Sequence, residues 1–513
     1  MELRGKDPVL LKDGTYEIDI FNNNPIFAVN NNKYFVRDWE EAFYLHGNAS
    51  MEDLDFEYLA AYITDQCNTN VSPYKRIRRI PRGSKVKIKD KSYFLSSRYK
   101  FKKYKNLNST PLKEVISILE EKIESILESY INHNCGNIAC EHSSGLDSNS
   151  IVSFLTKKLN FPISKLFTVS GDNDEEGLLI NKFRKVYGLD RENCFGNNDL
   201  ELISKDKSPE NSYDKFFHIY GSPCIRGENL AKLELLKLNK CKLLISGFGG
   251  DQGLSHHGRN VQTDLIINKN FKDLFSWYKE DPPLIKSKKI ISRIGKLALW
   301  KPIEFRTKML VKNRIYHNIL IRHLTSYGKN KIIKNIRYEY PWEIDDVINQ
   351  RKSIKNRLLS EWISIRAEDE KRMCKSFGID KVYPFLDEEL ISILLQINTK
   401  FFNKNGSERY LIRELFKKYL PDYLYKNPSK YREVFDTTRN KKKEKYLERI
   451  EFLFQELTNK SLLVSKLWDI DNLLNEIDNK INSKKTSFYE IVSTWMALNK
   501  VNNTNIWLEK LHG

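Results

Sequence analysis

Long apolar runs are absent from this chain. Nowhere do about 18 apolar residues follow one another, and no basic start leads into an apolar N-terminal stretch, so neither a membrane span nor a signal peptide is expected. Cysteine is sparse. The seven, Cys67, Cys135, Cys140, Cys194, Cys224, Cys241 and Cys374, form no CxxC pair, which excludes a zinc ribbon; reduced thiols in a cytoplasm account for them. No groove-reading motif occurs, so nucleic acid is not an expected partner.

Core-forming material is plentiful. At 513 residues, 40% hydrophobic and 12% aromatic, the chain can fill two or three domains. Its formal net charge is +19, unevenly spread: between Leu284 and Leu324 stand eleven Lys/Arg against one acid, Glu304. Apolar residues are interleaved there, as in Ile290-Ile291, Leu297-Ala298-Leu299-Trp300 and Met309-Leu310-Val311. This predicts a basic amphipathic helix, able to face solvent, an acidic peptide or an anionic membrane surface.

Asn137-Ile138-Ala139-Cys140-Glu141 reads as a strand and His142-Ser143-Ser144-Gly145 as a tight turn. Ile151, Leu155 and Leu159 then recur at i, i+4 and i+8 as the buried side of a helix. Backbone N–H groups and the positive helix end converge on such a turn, and Ser143, Ser144 and Ser148 add hydroxyl donors, which suits a polyphosphate. Gly145 permits close approach, and Asp147 suits Mg²⁺ held against a phosphate. Taken alone, the turn equally fits an ordinary connection with Ser and Asp as helix caps. A second apolar strand, Leu243-Leu244-Ile245, runs into Ser246-Gly247-Phe248-Gly249-Gly250-Asp251-Gln252. Two strand ends that each carry a glycine turn and an Asp can bracket one Mg²⁺–triphosphate. Leu166-Phe167-Thr168-Val169-Ser170 reads as a third strand, and ligands of parallel sheets sit at carboxyl ends, which puts Val169 and Ser170 near a nucleotide base.

In this order the segments resemble the asparagine synthetase family of ATP pyrophosphatases. The first turn is similar to the family's Ser-Gly-Gly-Leu-Asp-Ser loop, with Ser144 replacing a glycine. The second is similar to Ser-Gly-x-Gly-x-Asp-Glu, with Phe248 at the first x and Gln252 for the closing Glu. Phe377-Gly378-Ile379-Asp380 and Tyr383-Pro384-Phe385-Leu386-Asp387 match a further signature, although Val382 stands where Arg is common. Gly406, Arg409, Leu411, Arg413 and Leu420-Pro421 match another, after which a family lysine contacts pyrophosphate; this points to Lys430, with Lys426 as substitute.

The resemblance implies an α/β chain in three parts. Residues 1–105 form a truncated β-rich domain, a glutaminase-like remnant in which Thr15–Phe21, Ile26–Val29 and Tyr34–Val36 are read as a meander. Residues 106–440 form the parallel-sheet ATP-pyrophosphatase (PP-loop) synthetase domain, with a basic helical insert at about 265–340. Residues 441–513 are C-terminal helices, with Ile491, Trp495, Leu498, Val501 and Trp507 expected on the synthetase core. Family glutaminases attack with a cysteine at position 2. Here Glu2 stands there, and no glutaminase activity is expected.

The resemblance also implies a carbon–nitrogen ligase using ATP and Mg²⁺, with catalytic Asp147, Asp251 and Lys430 and metal-binding Asp147 and Asp251. The nucleotide would meet His142, Ser143, Ser144, Gly145, Asp147, Ser148, Val169, Ser170, Ser246, Gly247, Phe248 and Gly249. Family members that bind free aspartate carry Glu where Phe248 stands; an aromatic or His there goes with other acids, as in β-lactam synthetases and lasso-peptide cyclases. Phe248, the basic insert and Ser255-His256-His257-Gly258-Arg259 look like the lasso-cyclase branch, with His256 and His257 either bases or satisfied structural histidines. That branch implies macrolactam formation between a peptide's N-terminal amine and an Asp/Glu side chain, with a precursor peptide, a leader peptidase and a leader-binding protein as partners. An ammonia-dependent, asparagine synthetase-like enzyme acting on a small acid is one alternative. A non-catalytic nucleotide-binding scaffold, motivated by Ser144, Gln252 and Val382, is another.

Overall fold

A computed structural model describes residues 8–21, 25–47, 53–64, 70–98, 101–104, 107–133, 136–169, 174–189, 193–196, 230–279, 282–299, 309, 318–336, 349–426, 434–459, 463–482 and 487–512. The N-terminal part holds two small antiparallel sheets. Strands β1 (Gly14–Glu17), β2 (Phe27–Val29), β3 (Tyr34–Val36), β4 (Ile77–Arg79), β5 (Ser84–Lys89) and β6 (Ser92–Arg98) pair as β1-β5-β6 and β3-β2-β4. The expected meander is therefore split. β1 pairs with β5, remote in sequence, and of the three strands expected in the meander β2 and β3 form a hairpin, with Phe27 opposite Val36. Local alternation does not choose a partner: Val86 and Ile88 of β5 share a small core with Ile18, Ile26 and Phe35, and this long-range face matching decides.

Helix α1 (Trp39–His46) and helix α2 (Phe56–Ile63) follow β3; Asp55 caps α2, accepting from the N–H groups of Glu57 at 2.9 Å and Tyr58 at 3.2 Å. The C-terminal helices pack here, not on the synthetase core as expected. Ile450, Trp468, Leu473, Ile491, Leu498 and Val501 join Phe27, Trp39 and Leu59 in one hydrophobic core. Helical spacing correctly marks the buried side of the last helix, but which surface it meets is set by tertiary structure alone.

The central sheet consists of β7 (Asn137–Glu141), β8 (Leu166–Val169), β9 (Cys194–Phe195), β10 (Cys241–Ile245) and β11 (Asp380–Val382), in the order β11-β10-β7-β8-β9, with every pairing parallel. Both faces are covered. Ile138, Cys140, Leu243 and Ile245 point into one core with Phe154, Leu155 and Phe385, while Ala139 and Leu244 point into another with Leu233, Met373 and Cys374. The chain grows from β7 to β9 on one side and then crosses over to add β10 and β11 on the other. This reversal creates a crevice at the carboxyl ends of β7 and β10, where both glycine turns emerge. Within the insert, the basic helix forms over Pro283–Ala298, with proline in its first turn. Among the described residues no helix is long and apolar enough to cross a membrane.

Candidate active site

The first turn is tied together by the helix it starts. Helix α3 (Leu146–Lys157) has Gly145 at its N-cap, in extended backbone. Ser148 Oγ accepts the Ser143 N–H at 3.1 Å, Ser143 Oγ accepts that of Gly145 at 3.1 Å, and the Asn149 amide donates to the carbonyls of Ser143 at 2.9 Å and Gly145 at 2.6 Å. With its N–H groups spent, Asn149 presents its oxygen to His142 Nε2 at 2.9 Å, so that nitrogen carries the proton. His142 is buried against Phe183, and burial pushes its pKa down to about 4. It is a neutral positioning group. Ser144 does not lie in the left-handed region, so a serine where the family loop has glycine causes no backbone strain.

The second turn packs against the first so closely that side chains are excluded. A Cβ on Gly247 would lie 2.9 Å from the backbone nitrogen of Ser148, and one on Gly250 would lie 2.5 Å from the Asp147 carboxyl. Gly249 has φ +93° and faces Leu386. The two motifs, a hundred residues apart in sequence, form one cradle with Asp147 against the second turn and Asp251 next in chain. Asp251 Oδ1 is paired with the Arg409 guanidinium at 2.6 Å. Arg409 itself adopts left-handed backbone, φ 59°, at the start of the helix Tyr410–Phe416. The sequence reading matched Arg409 to a family helix without placing it in the site, because only the fold brings it to Asp251.

Beneath the turns lies a chain of buried charges. Glu141, at the end of β7, accepts from Lys232 at 2.7 Å and Lys381 at 2.9 Å. Lys381, almost wholly buried, also pairs with Glu370 at 2.8 Å; Glu370 holds Arg366 at 2.6 Å and accepts from the Tyr383 hydroxyl at 2.8 Å. Burial would raise the Glu141 carboxyl, but the two lysines outweigh it and hold it well below the usual carboxylate range. Sequence inspection singled out neither Glu141 nor Lys381 as a charged group. A lone Glu ending an apolar strand and a Lys inside a buried one were the available signals.

Phe248 sits over this chain. The Arg366 guanidinium stacks on its ring at 4.3 Å, and Trp362 and Tyr383 meet it edge-on with centroids at 5.8 and 5.6 Å. Within the network three cations, Lys232, Lys381 and Arg366, face two anions, Glu141 and Glu370.

The remaining expected residues fall as follows. Ser246 continues the strand, donating its N–H to the Val382 carbonyl at 3.0 Å. Val169 is buried in the core, and its carbonyl accepts the His142 N–H at 2.9 Å. Ser170 and Lys430 lie outside the described residues, as does Glu2. Lys426 pairs with Asp422 at 2.5 Å on the surface. His256 is fully buried, its Nδ1 accepting the Gly258 N–H at 3.2 Å and facing the Gln350 amide at 2.5 Å; His257 Nδ1 accepts the Arg259 N–H at 3.0 Å. Both rings serve the chain's own backbone. Asp387 caps the helix Glu388–Leu394, accepting from the N–H groups of Glu389 and Leu390. A cavity beside the first turn is lined by Ser143, Ser144, Asn149, Ile180, Phe183, Tyr423 and Leu424.

The family model described as Asparagine synthase matches residues 136–508, from the start of β7 through the C-terminal helices. The chain belongs to the asparagine synthase family. No curated protein matches it. Family membership makes this an ATP-dependent synthetase that forms amide bonds. Among the described residues no group of three or more His, Cys, Asp or Glu could cage a metal. Asp147 and Asp251, one from each turn, are instead oxygen donors of the kind that suits Mg²⁺, which takes one or two carboxylates and completes its shell with phosphate and water.

Proposed function

We propose that this chain activates a carboxylate as an acyl-adenylate and hands it to an amine. The acid's oxygen attacks the α-phosphorus of ATP, the bond to the β-phosphate breaks and pyrophosphate leaves. The amine then attacks the acyl carbon, AMP departs with the bonding pair, and the amine loses a proton. What carries the reading is the packing of Gly247 and Gly250 on Asp147, which leaves one cradle with a carboxylate from each turn. Asp147 and Asp251 would hold Mg²⁺, which when bound neutralises phosphate charge. Backbone N–H groups at the start of α3 orient phosphate oxygens. Arg409, beside Asp251, supplies fixed positive charge for the leaving pyrophosphate, a role shared with Lys430.

For the acid, the aromatic and guanidinium surface around Phe248 favours a substrate other than free aspartate. Together with the basic insert, this supports macrolactam formation on a ribosomal peptide, in which the N-terminal amine closes on an Asp/Glu side chain. A leader peptidase and a leader-binding protein would then deliver the precursor. The test is pyrophosphate release from Mg·ATP, comparing a short Asp/Glu peptide bearing a free N-terminus with aspartate plus ammonia. Turnover with peptide alone, lost in Asp147→Asn and Asp251→Asn, is the expected result. Turnover with aspartate and ammonia overturns the peptide assignment, and full activity of both variants overturns the enzyme assignment.

A further inference from the structure

The helix Pro283–Ala298 carries an apolar face that nothing among the described residues covers. Lys286, Ile290, Arg293 and Leu297 form its half-buried side, where Ile290 packs on Val261, Leu265, Leu274 and Tyr278. At 100° per residue, Leu284, Ile291, Ile294 and Ala298 share a different face. All four are exposed, Leu284 and Ile291 to 69% and 67%. Ile285 and Leu299 are exposed as well, and so are Ile267, Phe271 and Phe275 of the two preceding helices, so eight of the large hydrophobics exposed among the described residues fall between 267 and 299. Such clustering marks an interaction surface.

We propose that this helix docks on an anionic lipid surface. Residues 282–299 contain five Lys/Arg and no acid, so nothing in the helix opposes negative headgroups. Lys288, exposed, flanks the apolar face on the side toward Leu299. The apolar side chains project from one helix, as in an interfacial helix, whereas a helical peptide partner needs a groove to receive its own apolar side. The surface lies in the insert, apart from the turns that carry the nucleotide chemistry, so the docking does not depend on the acid or amine used.

The test is flotation of the full chain with vesicles of 3:1 phosphatidylcholine:phosphatidylglycerol against pure phosphatidylcholine. The native chain binds the anionic vesicles and releases in high salt; Leu284→Ser/Ile291→Ser and Lys288→Glu each weaken binding by roughly tenfold or more. An unchanged melting temperature shows that the variants fold. No binding of the native chain to anionic vesicles overturns the proposal. So does undiminished binding of the Leu284/Ile291 variant, or capture by polyglutamate in place of vesicles, which would make the surface a site for acidic peptides.

Discussion

Gly250→Ala separates the cradle's shape from its stability. The new Cβ would lie 2.5 Å from Asp147 Cγ and Oδ1, about 0.9 Å inside ordinary contact, which begins at 3.4 Å. The obstructed group is the end of a side chain, and Gly250 lies outside the positive-φ region. Asp147 can therefore swing away with little loss of stability, under about 1 kcal/mol, since the turn keeps its backbone. The carboxylate then stands about 1 Å from where phosphate and metal need it. A displacement of that size costs on the order of 100-fold in rate, or about 2.7 kcal/mol. The assay pairs pyrophosphate release with thermal unfolding, run with and without Mg·ATP. Expected are an almost native melting temperature without nucleotide, a much smaller rise on adding it, and the 100-fold loss of turnover. Gly249→Ala provides the contrast, because φ +93° and the contact with Leu386 place its penalty in folding itself. A Gly250→Ala protein within threefold of native turnover would refute the interlocked-cradle reasoning.

Two further outcomes follow from the buried charges and from the loop histidine. Lys381→Met leaves Glu141 and Glu370 short of a buried cation at 2.9 and 2.8 Å, and urea unfolding should show a loss of about 3–5 kcal/mol; less than 1 kcal/mol would mean the network adjusts freely. His142 has a folded pKa of about 4 against an ordinary 6.5, so the unfolded chain binds more protons between those values. Stability is then fully present above pH 6.5 and falls by about 3 kcal/mol as pH drops toward 4, with buried His256 adding in the same direction. His142→Gln should flatten this acid limb in a series of unfolding midpoints, and an unchanged limb would remove His142 as its source.

Much of this molecule is written locally in its sequence. Strand, turn and helix around Ser143–Ser148 follow from an apolar run, a small-residue turn and an i, i+4, i+8 pattern, and the same holds for the turn after Ile245. These are short-range properties of the chain, and they sufficed to mark the cradle and its two aspartates. The rest was not legible because it depends on which distant surfaces meet. β1 takes β5 as partner rather than β2, and the last helix buries Ile491 and Leu498 against Trp39 instead of the synthetase core, since period and hydrophobicity specify a buried face but not the face opposite. Lys381 bridges Glu141 and Glu370 through the neighbouring of β11, β10 and β7, and Arg409 reaches Asp251 from a helix start far along the chain. The sequence by itself determined the two turns and the residues they carry. Tertiary structure decided how tightly they close on each other and which cations stand beside them, because steric exclusion at Gly247 and Gly250 and charge pairing in a buried network exist only between segments that the fold brings within a few ångströms.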